Sequence, residues 1–413
     1  MFAAELIVGN FLSSVALSHP SVLAAQADVR AAQAELDAAW RQMLPEMQVS
    51  TSRPTNQDSN STLITQPKST VAVEQKLWAG GKYTSSVNVA EAASNAMQAR
   101  LDEVRLSATL AAIEALQGFR AATQKLDVNR QTLERLSRFV SMMERRVESQ
   151  VSPPIDAVLV RSRMVQAKID HANAQAAKSV SISRLQQLGL SDQAIDWSHV
   201  GMPQLGEPLL TGLPKNGEAA WRELDGLIDS HPSVRRAFYE AEAARHRQSA
   251  SAADQFPTVY ARVEKNRYDN PNYASQNGVI FTYVGVRFTP GGGLVSMAQA
   301  KAAQEKAQSA QQQIETSRRD QTNQLRQDWE EWRSALERRS DYVSALSNAM
   351  AVSESYERQF IVGRMSWQQT LDAVRELGQM GLAMADTESS LWASSYRLML
   401  RQGLYDLQQG VMQ

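Results

Sequence analysis

Cysteine is absent from this sequence of 413 residues, which excludes a disulfide scaffold and thiolate chemistry. An excess of either charge is also lacking, because 43 basic side chains stand against 44 acidic ones and the formal charge is -1. Such a balance offers no bulk attraction for nucleic acid. No stretch approaches 18 consecutive apolar residues, so the sequence predicts no transmembrane helix.

Signals for secretion and for catalysis are missing as well. Residues 1–16 have no basic start and no small-residue cleavage site, so they do not read as a signal peptide; this fits either a cytosolic protein or a processed chain. The five histidines show no metal-ligand spacing. Gly291, Gly292 and Gly293 lack the Lys-Ser/Thr of a phosphate loop and indicate a structural turn. We therefore predict no enzyme, no metal and no cofactor.

Glycine and proline are missing from residues 294–362, and this stretch organises the chain. Its apolar residues are spaced by threes and fours in line with one coiled-coil seam. They are Leu325, Trp329, Trp332, Leu336, Val343, Leu346 and Met350. A helix of this length is a rod of roughly 100 Å.

A second helix follows at once and runs back along the first. Ser366 is placed to cap it, and Gln369 completes a capping box. Leu377, Met384, Leu391 and Leu398 then repeat every seven residues. The sequence predicts a helical hairpin whose tip lies near residue 364.

The chain contains two copies of one unit. Ser18-His19-Pro20-Ser21-Val22 recurs 212 residues later as Ser230-His231-Pro232-Ser233-Val234, and Leu44-Pro45 recurs at the same displacement as Phe256-Pro257. We assign residues 1–190 to the first repeat, 191–226 to a linker and 227–413 to the second repeat.

Each repeat is predicted to contain a helix, a β-hairpin, a long helix and a return helix. In the first, the hairpin covers 47–78, the long helix 82–151 and the return helix 153–188, with Ser152 as cap and Pro153 in the first helical position. In the second, the corresponding ranges are 258–289, 294–362 and 367–401. The fold class is mainly α with a β portion.

The strands alternate apolar and polar residues over about ten positions, which suits a strand that crosses a membrane. Ile280, Thr282, Val284, Val286 and Phe288 share one predicted face. Aromatic residues near the strand ends are expected at the membrane interface, namely Trp78, Tyr260, Tyr268 and Tyr283. Four strands cannot close a barrel, so three chains would share one of twelve strands, and the long helices would line a tunnel continuing it.

The order of elements, given twice, resembles the TolC family of outer membrane efflux proteins over essentially the whole chain. Residues 73–81, which end in a glycine pair, are similar to the family's strand-to-helix segment, and residues 360–373 to its second helical tip. Val151-Ser152-Pro153-Pro154 and Arg358-Gln359-Phe360 are more similar to the branch that serves type I secretion, including exporters of large adhesins. The resemblance implies a homotrimer that docks on a periplasmic adaptor and an inner-membrane ABC transporter.

The resemblance also assigns tip residues. Phe360 corresponds to the gate aromatic, Asp372 to an acidic ring, and Asp156 to a partner of the gate's basic residue. The full set of gate residues is Phe360, Gly363, Arg364, Ser366, Asp372 and Asp156. The residues assigned to adaptor contact are Val151, Ser152, Pro153, Gly363 and Met365.

Two tip positions depart from the family pattern. Met365 occupies the usual arginine position, with Arg364 beside it, and Gln369 occupies a usual acidic position. Three copies of Asp372 near one axis would repel one another and would be stabilised by an arginine or a cation. The alternative interpretation is that Asp372 and Arg375 are ordinary surface charges of a helix.

The leading hypothesis is an exit duct in the bacterial outer membrane, with its helical barrel in the periplasm, that passes an unfolded secreted protein. Within the same class, the alternative is the outer membrane component of a multidrug efflux pump. From another class, the alternative is a soluble coiled-coil scaffold, for which membrane-length alternating strands have no use. Outer membrane lipid is an expected partner and nucleic acid is not.

Overall fold

The structure, a computed structural model, describes residues 2–52, 68–189, 228–268, 275, 277–289, 295–401, 405–406 and 411–412. Side chains are described from residue 8 onward in the first helix, and not for residues 402–413. The predicted linker at 191–226 and the glycines at 291–293 lie outside the described residues.

The described helices and strands follow the predicted order twice. The first half contains α1 (Phe2–Ser18), α2 (Pro20–Arg41), β1 (Glu46–Ser52), β2 (Lys68–Trp78), α3 (Lys82–Glu148) and α4 (Pro154–Gln187). The second half contains α5 (Pro232–Ala253), β3 (Thr258–Tyr268), β4 (Ile280–Arg287), α6 (Val295–Ile361), α7 (Trp367–Arg401), β5 (Tyr405–Asp406) and β6 (Val411–Met412). The described strands and long helices begin and end within a few residues of the ranges given above, and the division into two repeats and a linker stays a prediction. Helix α1 was not predicted.

Two helix starts show how local sequence sets these boundaries. The capping box of α7 is present: the Gln369 amide donates to Ser366 Oγ (3.3 Å), and the Ser366 amide donates to Gln369 Oε1 (3.4 Å). At α4 the prediction was wrong by one residue. Pro153, with φ −65° and ψ 147°, is the N-cap, and Pro154 takes the first helical position, because a residue before proline is driven out of the helical region.

The four long strands form one antiparallel sheet in the order β1-β2-β3-β4. Strand β2 of the first repeat pairs with β3 of the second, so the two predicted hairpins join directly. The register places Val71 opposite Val49 and Val73 opposite Val263. Within the described residues, β1 and β4 have no further strand beside them.

The chain forms two compact units that do not coincide with the two repeats. Unit 1 contains residues 1–23, 103–231 and 320–413, and unit 2 contains residues 24–102 and 232–319. Unit 2 holds the sheet. Each unit takes segments from both sequence repeats, because α3 and α6 each contribute one part of their length to either unit.

In unit 1, α6 and α7 pack closely at residues 325–335 and 391–398. We call this end the base of the hairpin. The base cluster consists of Leu325, Trp329, Trp332, Ala335, Leu391 and Leu398, all buried. The predicted seam is therefore correct at the base. It is wrong further along, where Leu336, Val343 and Met350 are exposed in the single chain.

A buried ion network reinforces the base. Arg397 Nε donates to Asp328 Oδ1 (2.7 Å) and Arg401 Nε to Asp328 Oδ2 (2.7 Å), so one carboxylate serves two guanidinium groups. Arg397 also bonds Glu331 (2.6 Å). The side chains of Asp328 and Arg397 are each 10% exposed. Charges this deep are stable only when they are paired, so this base network fixes α7 against α6.

Candidate functional site

One face of the sheet is apolar and exposed. Side chains directly opposite one another across the strands point to the same face. The register places Lys265 and Thr282 on this face and Phe281 on the other, beside Glu264. Eight apolar side chains from the four strands share this face. They are Met47, Val49, Val71, Val73, Val263, Ile280, Val284 and Val286. All are exposed, Ile280 at 63%. The predicted shared face of Ile280, Thr282, Val284 and Val286 is confirmed.

The opposite face carries charges that pair with one another. Glu74 accepts from Arg262 (3.3 Å) and from Arg287 (3.3 Å), and Arg262 also donates to Glu264 (3.0 Å). Below them, buried Thr70 donates to Asn266 (2.7 Å). The sheet is therefore apolar on one side and hydrogen-bonded on the other, which is the alternation of a strand between lipid and water.

A glycine shapes this polar face. A Cβ on Gly285 would lie 2.6 Å from the Tyr260 ring, so only glycine leaves space for that ring. The ring lies under the Arg287 guanidinium (4.6 Å) and makes an edge contact with Tyr283 (6.4 Å between centroids). Gly285 thus allows an aromatic ring to lie across the polar face.

The predicted membrane-interface aromatics divide between the two faces. Tyr260, Tyr268 and Tyr283 lie on the polar face of the sheet, and their place at a membrane interface stays a prediction. Trp78 lies on the apolar face, opposite Val259, although its alternation with Lys76 predicts the polar one. A β-bulge between Lys76 and Trp78 shifts the register by one residue and redirects the indole.

The corner beside Trp78 carries further exposed apolar side chains that sequence reasoning missed. Phe256 packs edge-on against Trp78 (6.1 Å). Gly80, at φ +61°, lies so close that an added Cβ would be 2.9 Å from Phe256. Trp40 and Leu44 are also exposed, at the end of α2. Their signal was available, because Leu44 and Phe256 are equivalent positions of the two repeats.

The first helical tip, between α3 and α4, is closed by backbone bonds. The Arg146 carbonyl accepts from the amides of Val151 (2.8 Å) and Ser152 (3.2 Å), and Gln150 adopts the left-handed φ of 58°. Ser152 Oγ accepts from Arg146 Nε (3.4 Å). Ser152 is therefore bound to the end of α3 instead of capping α4.

The second tip, between α6 and α7, closes similarly. Gly363 has a φ of +76°, its amide donates to the Phe360 carbonyl (3.0 Å), and the Arg364 amide donates to the Gln359 carbonyl (2.9 Å). This is the αL ending that favours glycine after a helix. Gly363 thus has a structural reason for its place.

An apolar cluster joins the two tips within unit 1. This tip cluster contains Leu136, Phe139, Val140, Met143, Ala157, Val160, Ala167, Phe360, Leu371 and Val374. Phe360 is 4% exposed and its ring lies 4.9 Å from that of Phe139. Sequence reasoning found Phe360 but missed Phe139, which stands three residues after Leu136 and four before Met143 and so shares the predicted seam of α3.

The other predicted gate residues lie around this cluster without meeting one another. Asp372 is exposed and pairs with Arg375 (3.4 Å) on its own helix. Arg364 is exposed, Met365 packs against the tip cluster, and Asp156 is half-buried in the first turn of α4. Within the described residues of the single chain, Asp156 is not ion-paired. The family-like gate bond of Asp156 stays a prediction for an assembled channel.

Two apolar stripes of unit 1 are exposed in the single chain. The α4 stripe consists of Ile155, Val158, Leu159, Val165, Ile169 and Val180, and the α6 stripe of Leu336, Val343 and Met350. Between α3, α6 and α7, beyond the base, lies an open cavity of about 420 Å³. Its lining includes Leu346, Met350, Leu377 and Met384, together with mostly polar side chains of α3. The α6 and α7 residues are predicted seam residues that line a space instead of packing together.

The described residues contain no group of three or more His, Cys, Asp or Glu side chains placed to hold a metal ion. No described helix is both long and apolar enough to cross a membrane.

Helical hairpins built on a four-stranded sheet define the class of fold: the chain has the fold of TolC-like outer membrane channels. It matches OprN, an outer-membrane channel, at a TM-score of 0.84 and 18% identity over 96% of this chain and 90% of that one. It matches the outer membrane protein VceC of Vibrio cholerae at 0.78 and 15%, covering 96% of each chain. It matches the Neisseria gonorrhoeae MtrE channel, in its open state, at 0.75 and 14%, covering 96% of this chain and 88% of that one.

The sequence itself carries a narrower signal. Residues 11–189 match the family model for outer membrane efflux proteins, a region that is less than half of the chain and corresponds to the predicted first repeat. Among curated proteins, no sequence is similar enough to this chain to count as a relative.

Proposed function

We propose that this chain is one subunit of a homotrimeric channel of the TolC family in the bacterial outer membrane. The observation that carries the proposal is the sheet, which has an exposed apolar face, a polar face of paired charges and open edges at β1 and β4. Open edges cannot persist in lipid, where every backbone group needs a partner. Pairing β4 of one copy with β1 of the next removes both edges, and three copies close a barrel of twelve strands.

The helical part supports the same assembly. The α4 stripe and the α6 stripe are both exposed in the single chain. The α4 stripe of one copy can therefore pack against the α6 stripe of the next copy. A contact between α4 of one copy and α6 of the next is heterologous, and such contacts form a ring when the rotation between copies closes, as a threefold rotation does. Burying both stripes would also complete the seam that the sequence predicts for α6.

The tips are the proposed gate and docking surface. Exposed apolar residues at the two turns, Val151 and Ile155 at the first and Val362 at the second, suit a contact with a periplasmic adaptor. Phe360, Gly363, Arg364, Ser366, Asp372 and Asp156 form the proposed gate, and Ser152, Pro153 and Met365 the proposed adaptor contact. The inner-membrane ABC transporter would act through that adaptor.

The proposed cargo is an unfolded secreted protein, as in type I secretion, on the basis of the tip sequences around Ser152 and Phe360. Export of small molecules by a multidrug efflux pump is the second candidate, because the structural neighbours named above are outer membrane channels that share the whole fold. Deleting the gene and measuring separately the surface display of secreted proteins and drug sensitivity would distinguish the two. Loss of display alone supports secretion, and drug sensitivity alone supports efflux.

The assembly is tested by native mass. In detergent, and after correction for bound detergent, the particle is expected at about three times the 45.7 kDa of one chain, and it should precipitate when detergent is removed. A monomer or dimer that stays in solution without detergent would contradict the proposal. The helical hairpins would then belong to a soluble scaffold.

A further inference from the structure

We propose that Arg146 is a positioning residue of the tip, which holds Phe360 against α3 through its guanidinium group. The inference rests on the proposed channel function, because it concerns what keeps the tips together. Arg146 is not among the tip residues that the family resemblance assigns, and it lies in the last turn of α3, opposite the end of α6.

The contact between Arg146 and Phe360 joins the two hairpins. The guanidinium carbon lies 5.0 Å from the centroid of the Phe360 ring, within the range of a cation–π interaction. Phe139 lies 4.9 Å from the same ring, so α3 contacts Phe360 through an aromatic ring and a cation. Phe360 is 4% exposed and Arg146 is half-buried, so the interaction is partly shielded from water.

Arg146 also organises the first tip. Its carbonyl accepts two amide hydrogens from the turn, and its Nε bonds Ser152 Oγ (3.4 Å). The Arg146 side chain therefore contacts both hairpins, through Ser152 in the turn of its own hairpin and through the Phe360 ring of the other. A single residue thus couples the shape of the first tip to the position of the second.

The charge of Arg146 is not neutralised by a carboxylate of the described residues. Within the described residues, Arg146 forms no ion pair with a carboxylate, so the Phe360 ring is its main electrostatic partner. Its neighbour Arg145 lies in the same last turn and is exposed. Arg145 has the same charge at the same helix terminus but does not contact the Phe360 ring, so it is a matched control.

Opening the tip requires Phe360 to leave this site. If the α6–α7 tip moves away from α3 and α4, Phe360 loses its contacts with Phe139 and Arg146, and the nearby ion pair between Arg135 and Glu357 (3.2 Å) breaks as well. The variants below leave that pair in place. Removing the guanidinium lowers the cost of that step and raises the population of the open tip. Lysine at this position keeps the charge but loses the planar group that lies against the ring.

The test uses the natural absence of cysteine. A single cysteine in place of Ala157, which is buried in the tip cluster, reports tip opening through its rate of reaction with a water-soluble maleimide. The rate is compared in Arg146→Ala, Arg146→Lys and Arg145→Ala variants of the detergent-solubilised trimer. Single-channel conductance in a planar bilayer is recorded for the same proteins.

We expect Arg146→Ala to raise the labelling rate about tenfold and to increase conductance, Arg146→Lys to fall between it and the parent, and Arg145→Ala to change neither. Equal labelling rates in Arg146→Ala and Arg145→Ala would overturn the inference. So would an Arg146→Lys variant that labels as fast as Arg146→Ala. A parent protein that conducts no ions while its labelling still depends on Arg146 would refute the proposed function and leave the positioning role. Phe360→Leu, which keeps apolar volume without the ring, should reproduce the labelling increase if Arg146→Ala fails to assemble.

Discussion

The two ends of the α6–α7 hairpin within unit 1 are held by different physics. At the base, four aromatic and aliphatic side chains pack together, namely Trp329, Trp332, Leu391 and Leu398, and one buried carboxylate is shared by two arginines. At the tip, the same helices reach α3 and α4 through the buried Phe360 ring, a few aliphatic side chains and one half-buried ion pair, between Glu357 and Arg135 (3.2 Å). Between the two ends the predicted seam opens into a cavity.

This difference indicates which end can move. Breaking the base would leave charges buried without partners, which is costly in any conformation. Separating the tip exposes apolar contacts and breaks the Arg135–Glu357 pair, whose two charges would then be solvated instead of buried. The hairpin is therefore suited to pivot about a fixed base and to open at its tip.

The largest effect is expected from the carboxylate at the base. Asp328→Ala leaves the guanidinium groups of Arg397 and Arg401 without their shared partner and should cost about 3 to 5 kcal/mol of unfolding free energy. Urea titration in detergent, followed by tryptophan fluorescence, measures it. Glu337→Ala removes an exposed pair with Arg333 (3.1 Å) on the same helix and should cost less than about 0.5 kcal/mol. Equal losses in the two variants would contradict the role assigned to the base network.

The base should also be the acid-sensitive end. Burial, aided by the nearby charge of Arg401, lowers the pKa of His231 from 6.5 to about 4. Folding therefore favours the neutral imidazole. Its contribution to the unfolding free energy is complete above pH 6.5 and is lost as the pH falls from 6.5 towards 4, because the unfolded chain binds the proton first. The loss should approach about 3 kcal/mol at pH 4.

His231→Gln removes this titrating group and is the natural comparison. The difference in unfolding free energy between parent and variant, measured from pH 7 to pH 4, isolates the histidine from the carboxylates that titrate in both proteins. A pH-independent difference would show that His231 titrates normally in the folded chain.

A smaller effect is expected in the middle of the hairpin, where α7 approaches α3 through glycine. A Cβ at Gly381 would lie 3.0 Å from Val128 Cγ1, whereas one at Gly118 would lie 3.7 Å from Ser181 Oγ, an ordinary contact. Gly118→Ala should therefore gain up to about 1 kcal/mol from helix propensity, and Gly381→Ala should gain nothing or lose stability. Thermal midpoints of the two variants against the parent measure the difference, and equal gains would show that the α3–α7 contact is loose.

The smallest effect on stability is expected at the tip surface. Asp372→Ala removes an exposed pair with Arg375 and should cost less than about 0.5 kcal/mol. If the three copies line a narrow opening, however, Asp372→Ala or Arg364→Ala should raise single-channel conductance. Unchanged conductance in both variants would remove these residues from the gate and make them ordinary surface charges.

The sequence was a good guide wherever a local pattern has one physical cause. Proline and glycine positions, the capping box at Ser366 and period-two alternation predicted the element boundaries and the face that contains Val284 and Val286. These signals depend only on residues that are close in the sequence, so they can be identified without the tertiary structure.

The misses have tertiary causes. The bulge that turns Trp78 to the apolar face is created by pairing with β3, which alternation within β2 does not reveal. Val343 and Met350 have seam spacing but no partner in their own chain, because spacing predicts a buried face without saying which molecule covers it. Arg146 belongs to no motif, and its role depends on a ring more than 200 residues away in the sequence.

Hydrogen exchange on the detergent-solubilised protein tests the fixed base and the yielding tip most directly. Amides of residues 325–335 and 391–400 should exchange only with global unfolding, while those of residues 355–361 and 367–374 exchange orders of magnitude faster through local opening. Equal protection at both ends, or faster exchange at the base, would contradict a hairpin that pivots on its buried ion network.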